Sequence, residues 1–173
     1  MPIVPVTHQA FHDKQFRLQP DYGFAANDAV VPLVLRELSR AVMEMPIGFM
    51  ATGDAHLPVG VLALGASGNA FVTSAGQWSG DYVPAFYRAH PFSLSHAAGE
   101  QVVLCVDDKS PRIELATVVD SGFLVEPVRP FFAGDGQPMQ WLGALLQFLQ
   151  ELKADRQRAA QACQHLFQAG LLV

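Results

Sequence analysis

The chain has 173 residues, of which 50% are hydrophobic and only 16% are charged. A disordered chain needs low hydrophobicity and high charge, so this composition excludes one, and the length favours a single domain over residues 1–173. The 11 basic and 16 acidic residues give a net charge of −5 without any basic run, which argues against a nucleic-acid partner. The charges are unevenly spread, since Asp54 is the only one between Met45 and Gly80.

No stretch of the sequence predicts a membrane span or an export signal. The longest apolar runs, around residues 59–64 and 101–106, are far shorter than the roughly 20 residues that cross a bilayer. The first residues lack the positive region and apolar core of a signal peptide. Cys105 and Cys163 are too few for a disulfide framework or a zinc cage, and both lie in apolar stretches, which predicts buried, unreactive thiols. We therefore expect a cytoplasmic protein.

The N-terminal part of the chain predicts irregular structure followed by one helix. Residues 1–20 contain three prolines that interrupt regular patterns. A helix is predicted at residues 28–44, because Asn27 or Asp28 can cap its start and Pro32 fits its first turn. Its apolar positions at helical spacing are Val31, Leu35, Leu38 and Val42. Its opposite, polar side carries Arg36, Glu37 and Arg40.

The middle of the chain predicts short strands. Residues 47–52, 58–64 and 69–73 are rich in β-branched and aromatic residues and are separated by turn residues. The pair Gly53-Asp54 favours a hairpin between the first two of these strands. Two further strands are predicted at residues 101–106 and 112–119, and a last one at residues 123–127. Because the runs are apolar almost throughout, we expect both faces of the sheet to be covered.

The C-terminal part predicts one long helix, or two helices with a break near Ala154. Gly170 is a suitable stop. The apolar stripe at three- and four-residue steps consists of Leu142, Leu145, Leu149, Leu152, Ala159, Cys163 and Leu166. We find no internal repeat. The prediction is therefore an α+β fold, with an antiparallel sheet of five or six short strands, an N-terminal helix and a long or broken C-terminal helical region packed on it.

The densest group of distinctive side chains lies at residues 76–92, where Asp81 and Pro84 predict a short helix that Pro91 ends. Two interpretations stay open. As a site, the segment forms an aromatic pocket with one cation, suited to a planar or carboxylate-bearing ligand. As structure, its aromatic rings close the end of the sheet and its arginine bonds to backbone carbonyls. The candidate ligand-binding residues are Trp78, Tyr82, Arg88 and His90.

Several motifs of this segment occur in a fixed order, namely Asn69-Ala70-Phe71-Val72, Gly76-Gln77-Trp78, Tyr82-Val83-Pro84-Ala85, Arg88 and Pro91-Phe92. Tyr22-Gly23-Phe24-Ala25 precedes them and Leu104-Cys105-Val106-Asp107 follows them. Together, over about residues 4–172, they resemble the SapC family of bacterial proteins. The sequence departs from that pattern at Ala89 and His90, where the family tends to carry Arg and Tyr, and at Thr73, where it carries an acidic residue.

The resemblance implies an accessory role and points to no particular chemical reaction. The family takes its name from a gene cluster for a bacterial surface layer, and its biochemical role is not established. Its genes often lie beside those for TonB-dependent receptors, cupin-like oxygenases and flavin-dependent tryptophan halogenases. This implies a link to outer-membrane uptake or to oxygenase and halogenase modification systems, with a structural or assembly role in a surface layer as an alternative.

The histidines offer a second alternative. His8, His12 and Asp13 could present two imidazoles and a carboxylate from one helical turn, the ligand set of non-haem iron. That hypothesis would make the protein an iron-dependent enzyme of an oxygenase-linked pathway. The segment lacks the Glu of a zinc-protease helix and is flanked by prolines. We therefore expect no metal and no cofactor.

The preferred hypothesis is a non-enzymatic accessory protein that binds a small aromatic or amino-acid-like ligand. The charge-poor stretch between Met45 and Gly80 also predicts an exposed apolar patch, and such patches usually mark interfaces. We therefore expect a homo-oligomer, most simply a two-fold dimer.

Overall fold

The computed structural model of the chain describes residues 3–53, 55–65, 68–96, 102–116 and 128–172. Two 3₁₀ turns lie at Gly23–Ala25 and Leu35–Glu37. The other elements, in chain order, are β1 (Ile3–Pro5), α1 (His8–Phe11), β2 (Lys14–Arg17), β3 (Val30–Pro32), α2 (Leu38–Ala41), β4 (Ile47–Thr52), β5 (Ala55–Val61), α3 (Ala85–Ala89), β6 (Phe92–His96), β7 (Val102–Asp107), β8 (Ile113–Leu115), β9 (Val128–Pro130) and α4 (Gln140–Gln168). Helices and antiparallel strands together confirm the α+β class.

The chain divides into two compact units. The first comprises Met1–Pro20 and His90–Gln150, and the second comprises Asp21–Ala89 and Glu151–Val173. Helix α4 is continuous, with its residues up to Gln150 in the first unit and the rest in the second. The expectation of one domain over residues 1–173 stays a prediction.

The first unit contains two three-stranded antiparallel sheets, in the orders β1–β7–β6 and β8–β2–β9. Its core is a cluster of aromatic rings. Phe16 meets Phe92 edge-on with 5.0 Å between ring centroids, and it stacks on Trp141 at 5.7 Å. Phe131 lies 5.4 Å from Trp141 and 5.0 Å from Phe11. Because aromatic rings bury much apolar area per residue, this cluster explains how strands of three to six residues are held in place.

The second unit contains one three-stranded antiparallel sheet in the order β3–β5–β4. The strand predicted at residues 47–52 is confirmed as β4, and it forms the predicted hairpin with β5. The hairpin closes between Thr52 and Ala55, and Gly53 at its tip has a φ of 60°, which favours glycine. The buried core of this unit includes Val31, Leu33, Met45, Leu62 and Tyr87.

The helix predicted at residues 28–44 is wrong over its first half. Residues 30–32 form β3 and pair with residues 59–61 of β5, and the chain turns helical only at Leu35–Glu37 and α2. The apolar spacing was misleading, because Leu35 and Val42 are 40% and 58% exposed whereas Val31 is buried as a strand residue. Pro32 is compatible with β3 because an edge strand needs no N–H on its open side.

Other differences concern the strands. Residues 3–20 are more regular than expected, since they contain β1, α1 and β2. The strand predicted at residues 69–73 is reduced to a single bridge between Val72 and Trp78. Strands predicted near residues 101–106 and 112–119 are present as β7 and the shorter β8, and the one at residues 123–127 lies outside the described residues. The described strands form three small sheets in place of the single sheet expected.

Helix α4 has 29 residues, which confirms the long form of the predicted C-terminal helix. Leu142, Leu149 and Cys163 of its predicted apolar stripe are buried. Asp155 is buried as well, and both Arg36 and Arg158 form ion pairs with it. Paired partners of this kind are what a buried carboxylate requires. In the part of the chain that the structure describes, no helix is both long and apolar enough to cross a membrane.

One turn occurs in both units, which the sequence analysis missed. In the second unit its amide-to-carbonyl bonds are Thr73 to Gln77 at 2.8 Å, Gly76 to Thr73 at 2.9 Å and Ser79 to Phe71 at 2.8 Å. In the first unit they are Ala133 to Gln137 at 2.8 Å, Gly136 to Ala133 at 2.9 Å and Met139 to Phe131 at 2.9 Å. Gly76 and Gly136 have φ values of 73° and 82°, which other residues rarely adopt. The sequence signal is a Phe followed five residues later by Gly-Gln.

Candidate functional site

Trp78 is the centre of an aromatic cluster in the second unit. The turn just described carries it, and its indole stacks on Phe71 with 5.1 Å between ring centroids and 13° between planes. Tyr22 and Tyr87 meet the indole edge-on at 5.8 Å and 5.7 Å. The indole Nε1–H donates to the carbonyl of Tyr82 at 2.9 Å. The ring and the polar atom of Trp78 are therefore both engaged within the protein.

Tyr82 connects this cluster to a buried carboxylate. Its hydroxyl donates to Oε2 of Glu37 at 2.6 Å, and the amide of Ala85 donates to the same oxygen at 2.8 Å. The amide of Val34 donates to the other oxygen, Oε1, at 2.8 Å. Glu37 is only 3% exposed, so its charge is stabilised by these three donors rather than by water. The carboxylate joins the start of the 3₁₀ turn Leu35–Glu37 to the start of α3.

The chemistry of Tyr82 follows from this environment. Burial raises the pKa of its phenol to about 12, and the hydrogen bond to Glu37 contributes in the same direction. The phenol is therefore protonated at neutral pH and remains a donor. Tyr87 behaves similarly, because burial and the bond from its hydroxyl to Asp28 at 2.8 Å raise its pKa above the ordinary value.

Arg88 is the exposed member of the candidate site. It lies in the last turn of α3, its Nε–H donates to the carbonyl of Val83 at 3.2 Å, and its guanidinium carbon is 5.9 Å from the centroid of the Tyr82 ring. This distance is within the range of a cation–π contact. The structure thus brings Trp78, Tyr82 and Arg88 together. Tyr82 lies between the other two, since its carbonyl contacts the indole and its ring contacts the guanidinium.

His90 is placed differently from the other three candidates. It belongs to the first unit, whereas Trp78, Tyr82 and Arg88 belong to the second. Within the first unit the carbonyl of His90 accepts a hydrogen bond from Arg112 Nη1 at 3.2 Å. Arg112 also donates to the carbonyls of Arg17 and Leu18, and its guanidinium lies 4.4 Å above the ring of Phe16. His90 therefore contributes its backbone to a structural contact.

The histidine pair of the alternative hypothesis is formed only in part. His8 and His12 lie in or next to α1 with 5.5 Å between ring centroids, and Asp13 follows them, all exposed. Among the described residues, no group of three or more His, Cys, Asp and Glu side chains is arranged to hold a metal ion. His8 instead meets the ring of Phe132 edge-on at 5.2 Å.

The cysteines are buried, as predicted. Cys105 lies in β7 and Cys163 in α4, and both are free thiols. Burial raises the pKa of each thiol, which disfavours the reactive thiolate.

Sequence reasoning missed Glu37, which it assigned to the polar side of a helix. The available signal was its position three residues after Val34, at the start of a helical segment, where a Glu commonly bonds back to a backbone amide. The contact with Tyr82 joins residues 45 apart in the sequence and has no local signal.

Comparison with known proteins identifies the family. The SapC family model matches residues 6–173, nearly the whole chain. The chain belongs to the SapC family. No curated protein and no solved structure matches it. In this SapC protein, the motifs quoted in the sequence analysis contain the residues that form the site, from Phe71 and Trp78 through Tyr82 to Arg88.

Proposed function

We propose that this SapC protein is a non-enzymatic accessory protein of the cytoplasm that binds a small aromatic or amino-acid-like carboxylate at Arg88. One observation carries the proposal. An exposed guanidinium, anchored through Nε to the Val83 carbonyl, lies beside the ring of Tyr82. The planar fork of an arginine fits a carboxylate, and a neighbouring ring offers apolar contact to an aromatic ligand.

The environment of this cation supports binding rather than catalysis. The hydroxyl of Tyr82 is held by Glu37, and its pKa of about 12 makes it a poor general base near neutral pH. The indole N–H of Trp78 is occupied by the Tyr82 carbonyl. These fixed bonds position the ring beside Arg88, which reduces the entropy lost when a ligand binds.

The accessory part of the proposal rests on the family. The resemblance to this family implies a link to outer-membrane uptake or to oxygenase and halogenase modification systems. A protein that captures a small carboxylate fits such systems, since aromatic amino acids are carboxylates with planar rings.

Isothermal titration with benzoate and L-tryptophan tests the ligand class. Benzyl alcohol and tryptamine lack the carboxylate and are the ligand controls. We expect the two carboxylates to bind and Arg88→Ala to weaken them by about tenfold or more, because a hydrogen bond to a charged group contributes roughly 1.5–3 kcal/mol. Arg40→Ala, which removes another exposed arginine of the second unit, is the matched control and should leave the affinity unchanged.

Thermal unfolding separates binding from structure. The melting temperature of Arg88→Ala should stay within about 2 °C of the parent protein, as for other exposed substitutions. A fall of about 10 °C would show that Arg88 is structural. Equal affinity for benzoate and benzyl alcohol would refute the role of the guanidinium.

A further inference from the structure

Strand β4 is an unprotected sheet edge. It is six residues long, and in the described part of the chain it pairs only with β5. Phe49 and Met50 are 48% and 37% exposed, and the strand contains neither a charge nor a proline. Proteins usually protect such edges with charged residues, prolines or bulges, because the free backbone groups can pair with another strand.

The ladder between β4 and β5 shows which backbone groups of β4 point away from β5. Just before β4, the amide of Val61 donates to the carbonyl of Pro46 at 2.8 Å, so this pair is of the hydrogen-bonded type. The two types of pair alternate along an antiparallel ladder. The residues of β4 that bond to β5 are therefore Gly48, Met50 and Thr52. The residues whose N–H and C=O groups point to the open edge are Ile47, Phe49 and Ala51.

We propose that β4 is the contact surface for a second copy of this chain, which adds its own β4 in antiparallel orientation. A two-fold axis at Phe49 pairs this residue with its own copy, and pairs Ile47 with the Ala51 of the partner subunit. Each of these pairs exchanges two backbone hydrogen bonds. All outward groups of both strands are then satisfied, and two three-stranded sheets become one sheet of six strands. The inference does not depend on the ligand proposed above.

The charges and apolar groups around β4 favour a second copy as the occupant. When a strand pairs with its own copy, any charged side chain near the axis would face the same charge on the partner. β4 avoids this repulsion, because Asp54 is the only charged residue between Met45 and Gly80. Exposed Val42 and Met43 precede the start of β4. Near its other end, exposed Phe167 stacks on His56, the partner of Ala51 in the ladder. Antiparallel pairing places the start of one β4 against the end of the other, so apolar groups add to the contact at both ends.

Cysteine cross-linking tests the register. In Phe49→Cys the two new thiols lie opposite one another, with an expected Cα separation of about 5.5 Å, which a disulfide spans. In the control, Met50→Cys, the two cysteines are diagonal neighbours whose Cα atoms are roughly 7–8 Å apart, too far for a disulfide. Cys105 and Cys163 are buried and do not compete. We expect mild oxidation to produce covalent dimers of Phe49→Cys and few or none of Met50→Cys.

Light scattering after size exclusion tests the dimer itself. The parent chain, of 18.8 kDa, should elute at twice that mass. Phe49→Lys should raise the dimer dissociation constant at least tenfold more than Met50→Lys, because only the former opposes two ammonium groups at the axis. A monomer at all concentrations overturns the proposal. So does a dimer that Phe49→Lys leaves intact, equal cross-linking of both cysteine variants, or an edge that pairs only with another protein.

Discussion

Replacing Glu37 with alanine removes the acceptor of three hydrogen bonds that join separate parts of the second unit. The amides of Val34 and Ala85 and the hydroxyl of Tyr82 lose their partner together. Each buried donor left unsatisfied costs about 1–3 kcal/mol. With three such donors the combined loss should be at least about 3 kcal/mol, a large share of the 5–15 kcal/mol by which a domain is usually stable. The melting temperature should fall by about 10 °C or more.

Two further variants make this prediction specific. Glu37→Gln keeps the shape and one acceptor oxygen but turns an amide group toward a donor, so its cost should be about 1–2 kcal/mol. Glu44→Ala is the matched control, because among the described residues Glu44 accepts a single 3.3 Å bond, from the exposed amide of Asp81. It should change stability by less than about 0.5 kcal/mol. Urea unfolding followed by circular dichroism measures all three. The reasoning fails if Glu37→Ala is no more destabilising than Glu44→Ala.

Two other predictions concern pH and backbone conformation. Because folding raises the pKa of Tyr82 from its usual value of 10 to about 12, its contribution to stability is complete below pH 10 and is lost as the pH rises through 12. The urea midpoint of unfolding should therefore fall less steeply with pH between 10 and 12 in Tyr82→Phe than in the parent protein. Equal slopes for the two proteins would contradict this. Gly76→Ala should cost about 2 kcal/mol, since its φ is 73° and the new Cβ would lie 2.6 Å from Oδ1 of Asp21. Gly134→Ala, with nothing within 4 Å of its Cβ, should cost less than about 0.5 kcal/mol, and equal losses in thermal melts would contradict the strain.

The parts of the fold that the sequence predicts are those with local causes. The hairpin of β4 and β5 is specified by apolar stretches on either side of the Gly-Asp pair in the sequence. Helix α4 is specified by its apolar stripe. Strand β3 was mistaken for a helix because its partner, β5, lies about 30 residues further along the chain and leaves no mark on the local spacing.

The candidate site shows the same distinction. Trp78, Tyr82 and Arg88 could be found because aromatic residues and a cation are concentrated in one short segment. Because they are close in sequence, they also lie in contact in the structure, with Trp78 and Arg88 each touching Tyr82. Glu37 could not be found in this way, because a charged residue in an amphipathic pattern is ordinarily exposed. Only the tertiary contacts from α3 and Tyr82 explain its burial.

The turn that occurs in both units holds its shape with backbone hydrogen bonds and one glycine. Its tip is Ser74-Ala75 in the second unit and Gly134-Asp135 in the first, and all four residues are exposed. The same set of backbone hydrogen bonds thus forms around two different pairs of tip residues. Exposed loop tips of this kind tolerate insertions. The molecule therefore has two points at which a peptide tag or a fluorophore attachment site can be introduced while both aromatic cores stay intact.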